Sequence, residues 1–172
     1  MGIAAESGKA VMQKTVLLIG ENGGMGQASK ALLTDAGFRV IGLDRSNAEI
    51  LCDVTDPEAI ERAFETVEAL HIRLDAIAYM AGIYDTDSLI EIDETRLRRI
   101  FEVNFFGAAR IIRTFYPLLK ENGRVVIVTS ELAPLDPLPF TGLYGVTKTT
   151  LERYAFSLAM ELQLLGISVS VI

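Results

Sequence analysis

Cysteine and histidine each occur once in this chain of 172 residues, as Cys52 and His71, and 16 basic side chains face 23 acidic ones. A lone cysteine cannot close an internal disulfide, and one cysteine with one histidine supplies no cluster of metal ligands. Both residues read as structural, and no metal site is expected. A net charge of -7 offers no electrostatic footprint for a phosphate backbone, so nucleic acid is not an expected partner. No apolar run approaches the roughly 18 residues that a membrane span needs, and neither repeats nor low-complexity tracts occur. The opening MGIAAESGKAVMQK lacks the apolar core of a signal peptide and carries Glu6 where a myristoylation motif requires Ser or Thr. These absences point to a reducing, cytoplasmic setting without a membrane partner, and residues 1–13 read as a loose tail.

Hydrophobic residues, in contrast, make up half of the chain, enough for one sizeable core in a sequence too short for two comfortable domains. Residues 14–172 are therefore expected to form a single domain. Short apolar runs at 15–20, 39–44, 49–54, 74–82, 124–130 and 168–172 read as strands, mostly too continuously apolar to have a wet face. Amphipathic stretches at 26–36, 56–70, 93–121 and 143–165 read as helices, the second opened by Asp56 as cap and Pro57 as first helical residue. Strands alternating with helices predict a doubly wound, Rossmann-type parallel sheet, layered α/β/α, with ligands beyond the carboxyl ends of its strands.

The segment LLIGENGGMGQASKALL, residues 17–33, places Gly20, Gly23, Gly24 and Gly26 between the first strand and the first helix. Glycines there permit a tight turn and close backbone approach, so that free N–H groups of the helix can meet a pyrophosphate. The spacing differs from G-x-G-x-x-G, and taken alone the same glycines also suit a turn that merely joins strand to helix. Asp44 adds weight because it ends the second strand about 20 residues further on, where an acid accepts hydrogen bonds from an adenosine ribose and repels a 2'-phosphate. NAD is favoured over NADP. Arg45 is a cation beside that ribose and would tolerate NADP; both residues also suit a solvated strand end.

At LYGVTKTTLERYAFSLAMELQLLG, with Tyr144 and Lys148 in a Y-x-x-x-K arrangement, the chain resembles the short-chain dehydrogenase/reductase family, over essentially residues 14–172. GENGGMG is similar to that family's G-x-x-x-G-x-G loop, which implies cofactor contacts from Gly20, Asn22, Gly23, Gly24, Met25 and Gly26. The resemblance further implies a ribose acid at Asp44 with Arg45 beside it, an adenine contact at Asp53 and Val54 in CDVTD, and close approach at Ala81 and Gly82. It implies a catalytic set of Asn104, Ser130, Tyr144 and Lys148, and hydride transfer between NAD and a secondary alcohol or ketone.

The residue types fit that chemistry. Positions 144 and 148 share a helix face, which brings an ammonium near a phenol. A phenol in water releases its proton near pH 10, about three units too high for a proton shuttle at neutrality, and a neighbouring cation favours the phenolate. Tyr144 is thus the expected general acid/base. Ser130 is placed to hydrogen-bond the substrate oxygen. Asn104 interrupts an apolar stripe of Leu97, Phe101, Ala108, Ile111 and Phe115, and a polar amide on a buried face must find partners. The resemblance implies a kinked helix and a water relay to Lys148; a satisfied core asparagine is the alternative.

Departures from the family also carry expectations. YMAG stands where relatives show Asn-Asn-Ala-Gly, which puts an amide bridge across the sheet in doubt. The loop ELAPLDPLPFTG, residues 131–142, holds Leu132, Leu135, Leu138 and Phe140 among three prolines and suggests a substrate with apolar surface. The chain stops inside SVSVI, whereas relatives continue through a substrate-covering region, so the domain is expected to be incomplete. A dinucleotide sensor would not need Asn104, Ser130, Tyr144 and Lys148 together, and a nucleotide-sugar epimerase or dehydratase usually carries G-x-x-G-x-x-G. Finally, the last helix has a core stripe of Leu151, Tyr154, Ala155, Leu158, Leu162 and Leu165 and a second stripe of Phe156, Met160 and Leu164, while helix 93–121 offers Phe105, Ile112 and Leu119. Two apolar faces predict a homodimer or homotetramer built on these helices.

Overall fold

The computed structural model describes residues 13–86, 88–131, 133 and 139–172; residues 1–12 of the expected tail lie outside them. Six parallel strands, β1 Thr15–Ile19, β2 Arg39–Asp44, β3 Ile50–Leu51, β4 Leu74–Tyr79, β5 Leu119–Ile127 and β6 Ser168–Val171, form one sheet in the order β3-β2-β1-β4-β5-β6. All five residues of β1 are buried, as a strand covered on both faces requires. Sequence order reverses at β1: the chain runs outward to β3 and then returns to β4 on the other side. In register, Ile19 pairs with Leu43 and Tyr79, and Tyr79 with Ile127. The residues just past these positions, Gly20, Asp44, Met80 and Val128, therefore share the carboxyl edge at the switch point, where open sheets of this kind bind ligands.

β3 is shorter than the expected 49–54. The Asp53 carboxylate accepts hydrogen bonds from the Thr55 amide and hydroxyl at 2.8 and 2.7 Å, a local turn that draws the chain off the sheet edge. Helix α1 spans Gly24–Asp35 and α2 spans Pro57–Glu68, the latter capped by Asp56 through the Glu58 amide as expected.

The helix expected over 93–121 is not one helix. It comprises α3 Glu94–Phe101, a π-helical turn Glu102–Phe106, α4 Gly107–Phe115 and a 3-10 turn Tyr116–Leu118. Pro117 lacks the N–H that an α-helix would use, and the chain re-enters the sheet at Leu119. The extra residue per turn, seen as an i to i+5 bond from the Gly107 amide to the Glu102 carbonyl, rotates everything after it relative to α3. Ile112 and Leu119, expected on an outer face, lie in the core, and Phe106 is turned outward instead. In α5, Gly142–Leu162, the stripe Leu151, Ala155 and Leu162 is buried while Phe156 and Met160 are exposed, as is Leu164 just beyond the helix. Leu165, expected in the core stripe, is exposed as well, because the helix tightens into a 3-10 turn at Gln163–Leu165.

Candidate functional site

A cavity of about 550 Å³ opens at the switch point, lined by Gly20, Asn22, Gly23, Asp44, Arg45, Asp53, Val54, Ala81 and Gly82, together with Cys52, Met80, Ile83, Arg99 and Val103 among others. Gly20 adopts φ +86°, and a Cβ there would lie 2.7 Å from the Ala81 nitrogen. Its own amide donates to the Leu43 carbonyl at 2.8 Å, folding the loop back onto β2. Gly26 does not line the cavity; it is buried under the loop, where a Cβ would stand 2.0 Å from the Gly20 carbonyl oxygen. Gly24 and Met25 are likewise outside the lining, and Met25 points to solvent. Gly23 caps α1 without a side chain, so backbone amides alone face the loop side of that helix end. One oxygen of Asp44, Oδ2, accepts the Asn22 amide at 3.0 Å.

The second half of the site lies where the π-helical turn meets α5. Asn104 is fully buried; its Oδ1 accepts the Ile83 amide at 2.8 Å, while its Nδ2 donates to the Ile83 carbonyl at 2.9 Å and to the Thr147 hydroxyl at 3.0 Å. Thus the amide holds the segment following Gly82 to α5, and it is satisfied by protein groups. Lys148 is buried with it: Nζ donates to the Val128 carbonyl at 3.1 Å, and a Cβ on Gly82 would lie 3.3 Å from Nζ and 3.4 Å from Asn104 Oδ1. Burial pushes the Lys148 ammonium down to about 8. Tyr144, one turn earlier, is half-buried, with Nζ of Lys148 5.9 Å from its ring centre and Tyr84 packed edge-on at 4.8 Å. Ser130 is half-buried just beyond β5; its carbonyl accepts the Ala133 amide, and the Ala133 carbonyl accepts the α5 hydroxyl of Thr149.

Several of these groups escape a reading of the sequence. Tyr79 replaces the first amide of the family's tetrapeptide, and its fully buried phenol donates to the Val103 carbonyl at 2.8 Å, bracing the π-helical turn directly before Asn104. Ile83 contributes only backbone, which no side-chain pattern can reveal. Thr147 and Tyr84 signal nothing until α5 is placed against the strand ends. Cys52, expected to be structural, is buried at the cavity wall, and burial pushes its thiol up to about 11, so it stays protonated. Leu132, Leu135 and Leu138 of the expected apolar wall lie outside the described residues; Phe140 is exposed.

The sequence profile of the short chain dehydrogenase family matches residues 14–172. This chain belongs to that family. It is 33% identical to the uncharacterized oxidoreductase YbbO of Escherichia coli K12, over 94% of this chain and 65% of that protein. It is 30% identical to the 1-hydroxy-2-glutathionyl-2-methyl-3-butene dehydrogenase of Rhodococcus sp. AD45, over 90% of this chain and 74% of that protein. The crystal structure of a short-chain dehydrogenase from Streptomyces avermitilis superposes with a TM-score of 0.86 at 31% identity, over 92% of this chain and 64% of that one. The chain thus spans about two thirds of the length of these relatives. Among the described residues no helix is long and apolar enough to cross a membrane.

Proposed function

We propose that the protein is an NAD-dependent oxidoreductase that interconverts a secondary alcohol and a ketone, with Tyr144 as general acid/base. The observation that carries this reading is Lys148. A buried ammonium is costly unless paired, yet among the described residues its partner is the neutral Val128 carbonyl, one turn from a phenol at the carboxyl edge of the sheet. A perturbed cation so placed, beside a cavity, marks a site built for another polar ligand.

The cavity fits a dinucleotide. The positive φ of Gly20 and its close approach to the Ala81 backbone, with Gly23 and Gly82 also in the lining, let bare backbone form the cradle. In this reading Gly20, Asn22, Gly23 and the amides opening α1 hold the pyrophosphate, with Gly24, Met25 and Gly26 shaping that turn. Asp44 keeps one oxygen for the adenosine ribose diol, Arg45, Asp53 and Val54 border the adenine end, and Ala81, Gly82, Tyr144 and Lys148 border the nicotinamide end. The adjacent acid favours NAD over NADP by charge repulsion. When bound, the nicotinamide supplies the acceptor or donor of a hydride.

The protein's own groups then manage the proton. Tyr144 takes the alcohol proton on its phenol oxygen, or returns it to the carbonyl oxygen, with the Lys148 Nζ 5.9 Å from its ring centre. Ser130 donates to the substrate oxygen and fixes its orientation. Asn104 keeps the Ile83 backbone and α5 in register, which holds Lys148 opposite Gly82. One cysteine and an acidic surface suit a cytoplasmic enzyme, and the outer face of α5 suits a homodimer or a homotetramer. The test is a panel of secondary alcohols and ketones, some with apolar surface, offered to the full-length protein with NAD or NADH while the cofactor absorbance is followed. Turnover that vanishes in Tyr144→Phe supports the reading, and no turnover with any NAD or NADP pairing opposes it.

A further inference from the structure

Glu21 lies inside the glycine loop but does not behave like a loop residue. Gly23 and Gly24 beside it are exposed, whereas Glu21 is only 4% exposed. Its carboxylate fills the space where a side chain at Gly42 would stand: a Cβ there would lie 1.5 Å from Oε2. In that niche Oε2 meets Lys30 Nζ of α1 at 2.8 Å, and Oε1 accepts the Glu49 amide, from the segment between β2 and β3, at 3.2 Å. A carboxylate buried this deeply persists only when such partners satisfy it. The next residue, Asn22, donates its amide to Asp44 Oδ2, and Gly42 and Asp44, two apart on β2, share one face of the sheet.

The geometry points to Glu21 as a positioning residue for Asp44. By anchoring the loop in the Gly42 niche, it aims the Asn22 amide at one Asp44 oxygen and so orients the other toward the adenosine ribose. The inference rests on the reading of Asp44 as the ribose acid. Glu21 touches no cofactor; it acts through the loop. Lys30 and Glu49 make the knot rigid by tying the same carboxylate to α1 and to the segment that follows Asp44.

The experiment uses the full-length protein, with NADH and NADPH titrated by fluorescence. Glu21→Ala is expected to weaken NADH roughly tenfold, the scale of one charged hydrogen bond, with a smaller effect on NADPH, so that the ratio of the two affinities narrows. In the Asp44→Ala background the same change is expected to add less than about twofold, because residues acting as one unit are not additive. Glu21→Gln keeps an acceptor for the Glu49 amide and is expected to recover most of the loss; should Glu21→Ala not fold, Gly42→Ala, whose Cβ would crowd the Glu21 carboxylate out of its niche, carries the background test. A purely structural role would lower the melting temperature and leave the NADH to NADPH ratio unchanged, which overturns the proposal. An equal loss with Asp44 already removed overturns it as well. If Asp44→Ala binds NADH as the wild type does, the ribose reading itself falls; if Asp44→Ala is weak and Glu21→Ala is not, only the Glu21 proposal falls.

Discussion

Asp44 lines the cavity, Lys148 is buried behind Gly82 at the cavity's edge, and the two are expected to fail in different ways. Asp44→Ala removes an acceptor and a negative charge from the adenosine end; NADH affinity should drop by roughly tenfold and the preference over NADPH should shrink. Titration of both cofactors decides this, and tighter NADPH binding by the wild type would contradict it. Lys148 leaves a mark on stability. Its ammonium titrates at about 8 in the fold against an ordinary 10.5, so between those values the unfolded chain holds a proton that the folded chain has released. Stability from this group therefore rises with pH across that window and is lowest below it. Cys52, raised to about 11, works in the opposite sense, which is why the comparison is made within one pair of proteins. The melting temperature of wild type minus that of Lys148→Met should climb from pH 8 to pH 10, and a flat difference would contradict the burial of this lysine.

The π-helical turn sets both what Asn104 can do and how much of this region can be read in advance. Tyr79 sends its hydroxyl to the Val103 carbonyl, and Gly107 makes room: a Cβ there would lie 2.8 Å from that hydroxyl and from a Val54 methyl. Alanine is the better helix former by about 1 kcal/mol, but crowding a packed core costs about 1–3 kcal/mol. Crowding should prevail, so Gly107→Ala is expected to lower stability in a denaturant titration, and a gain in midpoint would show that Tyr79 yields easily. The apolar runs and the Asp56-Pro57 start make the strands and α2 legible because each depends on local chemistry alone. The π-helical turn depends on tertiary support from Tyr79, and a straight 3.6 period therefore misassigns Ile112 to an outer face; Leu119 is misassigned because it already opens β5. The cavity was legible at Gly20, Asp44 and Gly82, whose residue types carry the signal. Ile83 was not, because its contribution is backbone, and neither was Glu21, because its niche exists only once Gly42 lies beneath it.

At the scale of the molecule, Phe156 and Met160 of α5, Leu164 of the 3-10 turn after it and Phe106 at the π-helical turn are exposed among the described residues. We expect a dimer of the full-length protein at micromolar concentration in light scattering, and a shift to monomer in the double variant Phe156→Glu with Met160→Glu. A monomeric wild type, or a dimer indifferent to both changes, would contradict this surface as the interface. Above all, the two halves of the site, the cavity and the Tyr144–Lys148 pair beside it, are expected to serve one oxidoreduction. Its most direct measurement is NADH formation from NAD and a secondary alcohol by the full-length protein, compared with Tyr144→Phe. The account expects turnover to fall by at least about a hundredfold, the scale of lost general acid/base catalysis, while NADH binding stays within about twofold. Turnover persisting within a few-fold of the wild type in Tyr144→Phe would contradict it.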